Sequence, residues 1–238
     1  MGQNVNSYYD QSKDFPDLLQ LIDAQTQIKR IRFLTSHPMD FSFKLIQAIA
    51  DLLKVCEHIH LPLQAGSDKI LKRMNRKYTK GEYLGLVNKA KESIENLSLT
   101  TDLIVGFPGE TETDFQQTLD MVRACEFDSA FMFRYSPRGG TKAAQWENDV
   151  PEKEKLRRLQ ILIGLQKEIS YRKNKKLIGE IGEVLIEEKS RSDQNKWKGK
   201  SRNNKTVIIE DHRNLSGEIL KVRITDAYKG TLLGKSIS

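Results

Sequence analysis

The chain has few of the residues that build disulfide frameworks, redox centres or membrane spans. Its 238 residues include two cysteines, Cys56 and Cys125, too few for a disulfide framework and wrongly spaced for a Cys-x-x-Cys site. Both lie in apolar surroundings, so we expect them to be small core residues. No apolar run approaches the roughly 20 residues of a membrane span, and the polar start MGQNVNSYYD lacks a signal-peptide core. The expected compartment is the cytoplasm, with no membrane partner.

The composition is that of a globular protein with a basic surface. Hydrophobic residues make up 38% of the chain and charged residues 30%, and the formal net charge is +7. The length suits one large domain and a small one. The excess of positive charge favours an anionic partner, although a solvated lysine-rich surface has the same composition.

The most informative stretch runs from Thr101 to Phe115, TDLIVGFPGETETDF. Its β-branched, apolar beginning predicts a buried strand, Gly106, Pro108 and Gly109 predict a sharp turn, and the Thr-rich end predicts a capped helix. Such a turn can present backbone N–H groups to a ligand at the carboxyl end of a parallel sheet. It is neither a P-loop nor a dinucleotide fingerprint. Spacing alone favours an ordinary loop between a strand and a helix.

Short apolar strands alternate with helices through residues 1–150. Strands are predicted at 31–35, from His58, at 99–105 and at 129–135, with helical patterns between them. This alternation predicts an α/β fold with a parallel sheet that forms part of a barrel, because four strands are too few to close one. His58 and His60 share one strand face. No third metal ligand is nearby, so we expect them to be satisfied polar groups or ligand contacts.

The pattern changes after a long helix. Asp149 and Pro151 predict a helix start, and the helix is expected to run to about Lys176 as a bridge over 151–176. From residue 177 to 238, four short β-branched runs punctuated by glycines predict a small all-β barrel. The predicted domains are therefore 1–150, 151–176 and 177–238.

A basic segment separates the first two strands of this predicted barrel. Between positions 189 and 205 it has seven basic residues against one acid, Asp193. We interpret it as a loop that binds RNA, with the cations meeting phosphates and the tryptophan stacking on a base. A flexible, solvated hairpin is the alternative. The candidate RNA-binding residues are Lys189, Arg191, Lys196, Trp197, Lys198, Lys200, Arg202 and Lys205.

Several long motifs resemble one family in consecutive order. The segments GQNVNSY, RIRFLTSHP, HLPLQAGSDKILKRMNR, TDLIVGFPGETETDF and FRYSPRGGTKAA resemble the tRNA methylthiotransferases, a branch of the radical S-adenosylmethionine (SAM) enzymes. The nearest type makes 2-methylthio-isopentenyladenosine beside the anticodon. The end of the chain, GEILKVRITDAYKGTLLGK, resembles the RNA-binding TRAM domain. The resemblance covers essentially the whole chain and implies a partial radical-SAM (β/α) barrel followed by a TRAM-type barrel.

The resemblance also implies an activity, cofactors and a missing part. Family members use SAM and [4Fe–4S] clusters to insert sulfur and transfer a methyl group, with the protein positioning the cofactors. Their cluster cysteines, including C-x3-C-x2-C, are thiolate ligands of iron, and neither Cys56 nor Cys125 matches them. The chain is therefore expected to be a C-terminal part that is inactive alone. The partner implied is the tRNA anticodon stem-loop, and a monomer is favoured for the full-length enzyme.

Individual SAM-binding positions follow only from the resemblance. Residues 2–4 match a segment near the amino-acid moiety of SAM, and the others lie at the carboxyl ends of predicted strands. These candidates are Gly2, Gln3, Asn4, Gln64, Ser67, Asp102, Gly106, Pro108, Gly109, Glu110, Arg134, Ser136 and Arg138. The catalytic residues stay unassigned. A sister enzyme acting on threonylcarbamoyl-adenosine or a ribosomal protein, and a non-catalytic RNA-binding remnant, are the alternatives.

Overall fold

A computed structural model describes residues 4–34, 36–190, 193–211 and 213–237. A parallel sheet flanked by helices comes first, a long helix follows, and a closed five-stranded barrel ends the chain. This arrangement confirms the predicted fold class. None of the helices within those ranges is both long enough and apolar enough to cross a membrane.

The first part contains five strands and five helices among the described residues. In chain order they are β1 (Tyr9–Asp10), β2 (Lys13–Asp14), α1 (Phe15–Gln25), α2 (Phe43–Asp51), β3 (His58–His60), α3 (Asp68–Arg73), α4 (Lys80–Ser93), β4 (Ser98–Val105), α5 (Glu112–Cys125) and β5 (Ser129–Arg134). Short 3₁₀ helices lie at Val5–Ser7, Pro38–Asp40 and Lys142–Gln145. Strands β1 and β2 form a small hairpin, and β3, β4 and β5 form the parallel sheet.

The strand predicted at residues 31–35 is reduced to a single bridge. Only Ile31 pairs, in parallel with Val55, and Thr35 lies outside the described residues. The flanking Arg30 and Arg32 donate instead to main-chain carbonyls of residues 200–202 in the C-terminal barrel. Hydrogen bonds to the C-terminal barrel therefore take the place of strand pairing here, and the local sequence pattern gives no sign of them.

The two faces of the sheet have different environments. The helices cover one face, where the apolar side chains of β4 are completely buried, as the period-2 alternation of a strand requires. The opposite face, which we call the open face, carries His60, Thr100, Asp102, Phe131 and Phe133. Phe131 and Phe133 are 60% and 52% exposed. The open face is thus the surface of the sheet available to a ligand.

A 24-residue helix, α6 (Glu152–Lys175), joins the two parts. Glutamates in its first turn and basic residues in its last turn complement the helix dipole. Pro151 is the N-cap residue, whereas Asp149, the predicted cap, accepts a hydrogen bond from Gly109 N at 2.7 Å. Asp149 thus ties the start of α6 to the loop after β4.

The second part is a closed barrel with its own core. Its strands are β6 (Ile181–Lys189), β7 (Lys196–Ser201), β8 (Thr206–Glu210), β9 (Ile219–Ala227) and β10 (Leu232–Ser236), in the order β10-β8-β7-β6-β9. Gly199 and Gly234 lie where neighbouring strands approach so closely that a Cβ would collide with them. The predicted small all-β barrel is confirmed.

Candidate functional site

A polar and aromatic cluster occupies the middle of the open face. His60 Nδ1 lies 3.0 Å from Thr100 Oγ1, and His60 Nε2 lies 3.5 Å from Asp102 Oδ2. The Phe131 ring meets the imidazole edge-on, with centroids 6.0 Å apart. Hydrogen-bonding groups beside an aromatic surface suit a planar, polar ligand such as an adenosine moiety. The sequence indicated a polar or ligand-contact role for the histidines but not this arrangement.

Several predicted SAM-binding residues lie along the carboxyl edge of the sheet. Gln64 bridges to Leu103 beyond the end of β3, Gly106 follows β4, and Arg134 ends β5 opposite Val105. Arg134 forms a 2.9 Å ion pair with Glu152 of α6. Ser136 and Arg138 follow on the exposed segment after β5. Parallel strands therefore bring these residues to one edge, with Asp102 just below it.

Asn4 is held by a different segment. Its Nδ2 donates to Asp40 Oδ2 at 2.7 Å, and its Oδ1 accepts from His37 N at 3.2 Å. Asn4 therefore lies beside the segment that precedes α2. Gly2 and Gln3, predicted with it, lie outside the described residues.

Lys155 and Arg158 of α6 contact the loop that follows β4. Gly106 has a left-handed φ of 71° and its N–H donates to Glu110 Oε2 at 2.6 Å. The same oxygen accepts from Arg158 at 2.8 Å. A Cβ on Gly106 would collide with the Lys155 side chain. Gly106 must therefore be glycine for both its dihedral angle and its close packing.

Glu110 faces the protein interior and not the ligand edge. It is 4% exposed; burial raises its pKa, while the Gly106 N–H and Arg158 partly counteract that rise. A direct contact with SAM does not fit this arrangement, because the whole side chain is buried and its Oε2 is bonded to Gly106 and Arg158. Glu110 instead positions the turn that presents Gly106.

Pro108 and Gly109 complete the turn. The Pro108 carbonyl accepts from Arg73 Nε at 2.9 Å. Gly109 has a φ of 81°, and a Cβ there would lie 3.1 Å from the Arg73 guanidinium. The turn is therefore tied to α3 as well as to α6.

Ser67 is also an internal anchor. It is buried and its hydroxyl donates to Asp114 Oδ1 at 2.6 Å, while Asp114 Oδ2 accepts from Lys69 and Thr111. Burial alone would raise the pKa of Asp114, but these hydrogen bonds outweigh it and lower the pKa below its ordinary value. Ser67 therefore joins the start of α3 to the start of α5, and a direct SAM contact does not fit it.

Part of the predicted basic loop is strand. β6 ends at Lys189 and β7 begins at Lys196, so alternate residues of the segment face inward. Trp197 faces inward: it is 4% exposed, and its Nε1 donates to the Arg213 carbonyl at 3.1 Å. Lys189 Nζ lies 4.1 Å from the Trp197 ring centroid. The predicted stacking of Trp197 on a base does not fit, because the ring belongs to the barrel core.

The outward-facing lysines of β7 remain candidates for contact with RNA phosphates. Lys196 pairs with Asp193 at 3.0 Å and Lys198 pairs with Glu188 at 2.8 Å, while Lys200 Nζ lies 2.9 Å from Thr206 Oγ1. Exposed pairs of this kind contribute little stability, so phosphate could replace the carboxylates. Arg191 lies outside the described residues.

Two other predicted RNA-binding cations join the barrel to the sheet. Arg202 Nε donates to both carboxylate oxygens of Glu57 at 3.0 Å, and its NH2 donates to the Val55 carbonyl at 2.8 Å. Lys205 Nζ lies 2.6 Å from Asp128 Oδ1 and 3.0 Å from Asn174 Oδ1. Direct phosphate contacts do not fit these two side chains, because the first part of the chain already occupies them.

The described residues do not fit an iron–sulfur cluster. Cys56 and Cys125 are both buried, and burial raises the pKa of the Cys125 thiol to about 12, whereas a cluster ligand must be a thiolate. Across the described ranges, no group of three or more His, Cys, Asp or Glu side chains is placed to hold a metal ion. The open face, by contrast, fits the adenosine part of SAM.

Family comparisons agree with this architecture. Residues 1–122 match the radical SAM superfamily, and residues 175–237 match the TRAM domain. The chain belongs to the radical SAM superfamily and carries a TRAM domain behind its partial barrel. The family members use SAM and [4Fe–4S] clusters.

Curated relatives show which members of the superfamily the chain resembles. The chain is 50% identical to the tRNA-2-methylthio-N(6)-dimethylallyladenosine synthase of Caldicellulosiruptor saccharolyticus and 49% identical to that of Alkaliphilus oremlandii. In both comparisons the alignment covers 100% of this chain and 51% of the relative. The chain thus spans about half the length of these relatives and corresponds to their C-terminal half. The resemblance inferred from the motifs is confirmed.

One solved structure supports the fold. Coproporphyrinogen III oxidase from Escherichia coli, a radical SAM enzyme, superimposes with a TM-score of 0.53 at 16% identity. The match covers 78% of this chain and 50% of that one. At this identity, the likeness concerns the fold alone.

Proposed function

We propose that this chain forms the SAM-facing sheet and the RNA-binding barrel of a tRNA methylthiotransferase. The proposed reaction is methylthiolation of isopentenyl-adenosine next to the anticodon, and the proposed compartment is the cytoplasm. The observation that carries the proposal is the similarity of the whole chain, sheet and barrel alike, to tRNA-modifying synthases.

The sheet would position SAM at its carboxyl edge. With an iron–sulfur cluster, SAM supplies the radical chemistry of the superfamily. In this chain, Asp102 and His60 offer hydrogen-bonding groups, and Phe133 offers apolar surface beside them. Gly106 and Gly109 let the main chain approach the ligand, and Arg158 keeps the turn in place through Glu110.

The barrel would bind the anticodon stem-loop of tRNA. Lys189, Lys196, Lys198 and Lys200 are the proposed phosphate contacts on its outer surface. Arg202 and Lys205 would act differently, by holding the barrel at a fixed orientation to the sheet. In this arrangement, one RNA molecule can contact the barrel while its modified base lies at the open face.

Nucleoside analysis tests the proposal. The coding sequence is disrupted in the source organism, and digested tRNA is analysed by mass spectrometry. We expect loss of 2-methylthio-isopentenyladenosine and accumulation of isopentenyladenosine, both restored by reintroducing the gene. Loss of a methylthio group from threonylcarbamoyl-adenosine, with the isopentenyl nucleosides unchanged, would overturn the proposed substrate.

An iron assay on the purified chain tests whether it binds an iron–sulfur cluster by itself. Because its described residues do not form a cluster site, the chain is expected to hold no iron and to cleave no SAM. The matched control is a double variant, Cys56→Ala and Cys125→Ala, which should behave identically. Stoichiometric iron that is lost in this variant would show that the buried thiols are ligands.

A further inference from the structure

Four cations lie close together at the end of α3 and in the turn that leads to α4. Lys72, Arg73 and Lys77 are exposed and Arg76 is half-buried; we call these four residues the basic rim. The turn is tight, because Arg76 N donates to the Leu71 carbonyl at 2.9 Å. The helix dipole accounts for cations in the last turn of α3, but Arg76 and Lys77 come after that turn. The basic rim therefore concentrates more positive charge than the helix requires.

The cations of the basic rim are not neutralised by carboxylates. Among the residues that the structure describes, none of the four forms an ion pair. Arg76 Nη1 lies 3.4 Å from His37 Nε2. Burial first, and Arg76 second, lower the pKa of His37, so this imidazole is neutral near pH 7. Two of the outer lysines of β7, by contrast, are paired with carboxylates. The charge of the basic rim is therefore available to an anionic partner.

Arg73 is held with its guanidinium group over an aromatic ring. Its Cζ lies 4.6 Å from the centroid of Trp146, and its Nε donates to the Pro108 carbonyl at 2.9 Å. Trp146 in turn packs edge-on against Phe107, with ring centroids 6.0 Å apart. A guanidinium group has five N–H donors, so among the described contacts its terminal nitrogens remain for a ligand. Their planar arrangement matches the oxygens of a phosphate group.

The basic rim borders the carboxyl edge of the sheet, where the predicted SAM-binding residues lie. Arg73 contacts Pro108 in the loop that follows β4. The barrel docks at the opposite end of the sheet, because Lys205 reaches Asp128, which precedes β5. The eight residues of β4 separate these two ends by about 23 Å. Phosphates beside a base at the carboxyl edge therefore lie near the basic rim, at the end of the sheet opposite the docked barrel.

The chemistry of the basic rim suits a phosphodiester backbone. Clustered lysines and arginines bind RNA through its phosphates, which position the molecule without reading its sequence. An anionic membrane surface is best bound by cations that alternate with exposed apolar side chains. The apolar residue within the basic rim, Met74, instead packs against the core of the first part. RNA therefore fits both the charge of the basic rim and its place beside the reactive edge.

We propose that the basic rim is a second RNA-binding surface, which holds the phosphates that flank the modified base. The barrel holds a more distant part of the same RNA. Lys72 and Lys77 contact phosphates directly, and Arg73 does so through its terminal nitrogens. Contacts at both ends of the sheet fix the target base at the carboxyl edge. This inference rests on the proposed function in RNA modification and adds to it a contact surface outside the barrel.

Salt-dependent RNA binding to the intact chain tests the proposal. The probe is a fluorescein-labelled anticodon stem-loop, titrated at several salt concentrations. The rim variant, which combines Lys72→Ala and Lys77→Ala, is compared with a control variant that combines Lys89→Ala and Lys167→Ala. The control lysines, on α4 and α6, are also exposed and have no ion pair among the described residues. Both variants therefore lose the same net charge, and circular dichroism confirms that each is folded.

We expect the rim variant to lower the slope of log affinity against log salt by about 1.4 to 1.8, as the loss of two phosphate contacts would. The control variant should leave the slope unchanged. Equal slopes in the two variants would overturn the basic rim as an RNA-binding surface. Vesicles of phosphatidylglycerol and phosphatidylcholine are titrated in parallel. If the rim variant loses vesicle binding and keeps its RNA slope, the partner is a lipid surface and the proposal falls.

Directed hydroxyl-radical cleavage tests where the RNA lies. Lys72→Cys and Lys89→Cys proteins are each labelled with an iron chelate that cleaves nearby RNA. Cys56 and Cys125 are buried, so the reagent should label only the new thiol. We expect cleavage from position 72 at the nucleotides that flank the target adenosine, and none from position 89. Cleavage from position 72 that is confined to the far end of the stem would overturn the placement beside the modified base.

Failure of this inference is distinguishable from failure of the proposed function. Nucleoside analysis after gene disruption reports the modification and does not depend on these variants. If the methylthio group is lost on disruption while the rim variant keeps the slope of the control variant, the function stands and the basic rim proposal falls. If the slope falls as expected while the nucleosides are unchanged, the basic rim stands as an RNA-binding surface and the proposed function falls.

Discussion

Trp197 and Phe131 show two different uses of an aromatic ring in one chain. Trp197 fills the barrel core and satisfies its indole N–H with the Arg213 carbonyl. Phe131 is exposed on the open face beside His60. A buried ring contributes its area to stability, whereas an exposed ring is available to a ligand.

Trp197→Ala should therefore destabilise the barrel. Removing a buried aromatic side chain costs about 3–5 kcal/mol of unfolding free energy, measurable by urea denaturation. The control is Tyr228→Ala in the same barrel, where the ring is 55% exposed and the expected change is small. A Trp197→Ala protein of normal stability that binds RNA poorly would make the indole an RNA contact after all.

His58 should give the protein a pH-dependent stability. Burial first, and the nearby Arg32 second, lower its folded pKa from 6.5 to about 3. The folded protein is most stable above pH 6.5, the pKa of the histidine in the unfolded chain, where the imidazole is neutral in both states. Its stability falls as the pH is lowered from about 6.5 toward 3. In that window the unfolded chain binds a proton that the folded chain does not, so stability falls by up to about 1.4 kcal/mol per pH unit.

Urea unfolding at pH 7, 6 and 5 measures this slope. His58→Gln should reduce this slope by up to about 1.4 kcal/mol per pH unit, which is the contribution of one proton. In the unmodified protein, the NMR signal of the His58 imidazole should not shift between pH 7.5 and 5. A midpoint near 6.5 would contradict the burial argument.

At the scale of secondary structure, α6 does more than join two parts of the chain. Lys155 packs against Gly106, and Arg158 is ion-paired with Glu110. The opposite end of the helix contacts the start of β5, because Lys173 pairs with Asp128. The same helix thus contacts the sheet at both of its ends and leads into the barrel.

Gly109→Ala should raise the dissociation constant of SAM in the full-length enzyme without unfolding it. A φ of 81° costs a non-glycine residue roughly 1–2 kcal/mol, and the new Cβ would press on the Arg73 guanidinium. The affinity loss expected from that strain is about 5- to 30-fold by calorimetric titration.

Gly164→Ala is the matched control for this substitution. Gly164 lies in α6 with open space around its Cβ position, so alanine there should leave SAM affinity unchanged and stabilise the helix slightly. Unchanged affinity in Gly109→Ala as well would mean that the loop is only a turn.

At the scale of the whole molecule, the hairpin of residues 201–205 docks the barrel on the sheet. Arg202 reaches Glu57, Lys205 reaches Asp128, and Asn204 Nδ2 lies 3.3 Å from His58 Nε2. Arg30 and Arg32 donate in return to carbonyls of residues 200–202. Contacts in both directions fix the orientation of the barrel.

Arg202→Ala should loosen this docking without changing how RNA affinity depends on salt. Hydrogen exchange should increase in residues 201–205 and around Val55. Lys198→Ala, on the outer barrel surface, should instead lower the salt slope by about 0.7 and leave exchange unchanged. An equal loss of slope in both variants would place Arg202 at a phosphate.

Local patterns alone predicted much of this molecule. The alternation of apolar strands and helices specified a parallel sheet, and the glycine-punctuated β-branched runs specified a small barrel, because both follow from the periodicities of strand and helix. The motif from Thr101 to Phe115 placed a turn at the carboxyl end of a strand, where the structure has it. The order of the motifs identified the family.

The tertiary structure decided what individual side chains do. Seven cations close together in the sequence formed one predicted RNA surface, but Arg202 and Lys205 turned toward carboxylates more than 70 residues away. Strand alternation sent Trp197 inward while its lysine neighbours remained outside. The ion pair between Glu110 and Arg158 has no local signal, because the two residues meet only when distant segments pack. Sequence determines local periodicity, whereas the pairing of charges and the exposure of rings depend on which surfaces the fold brings together.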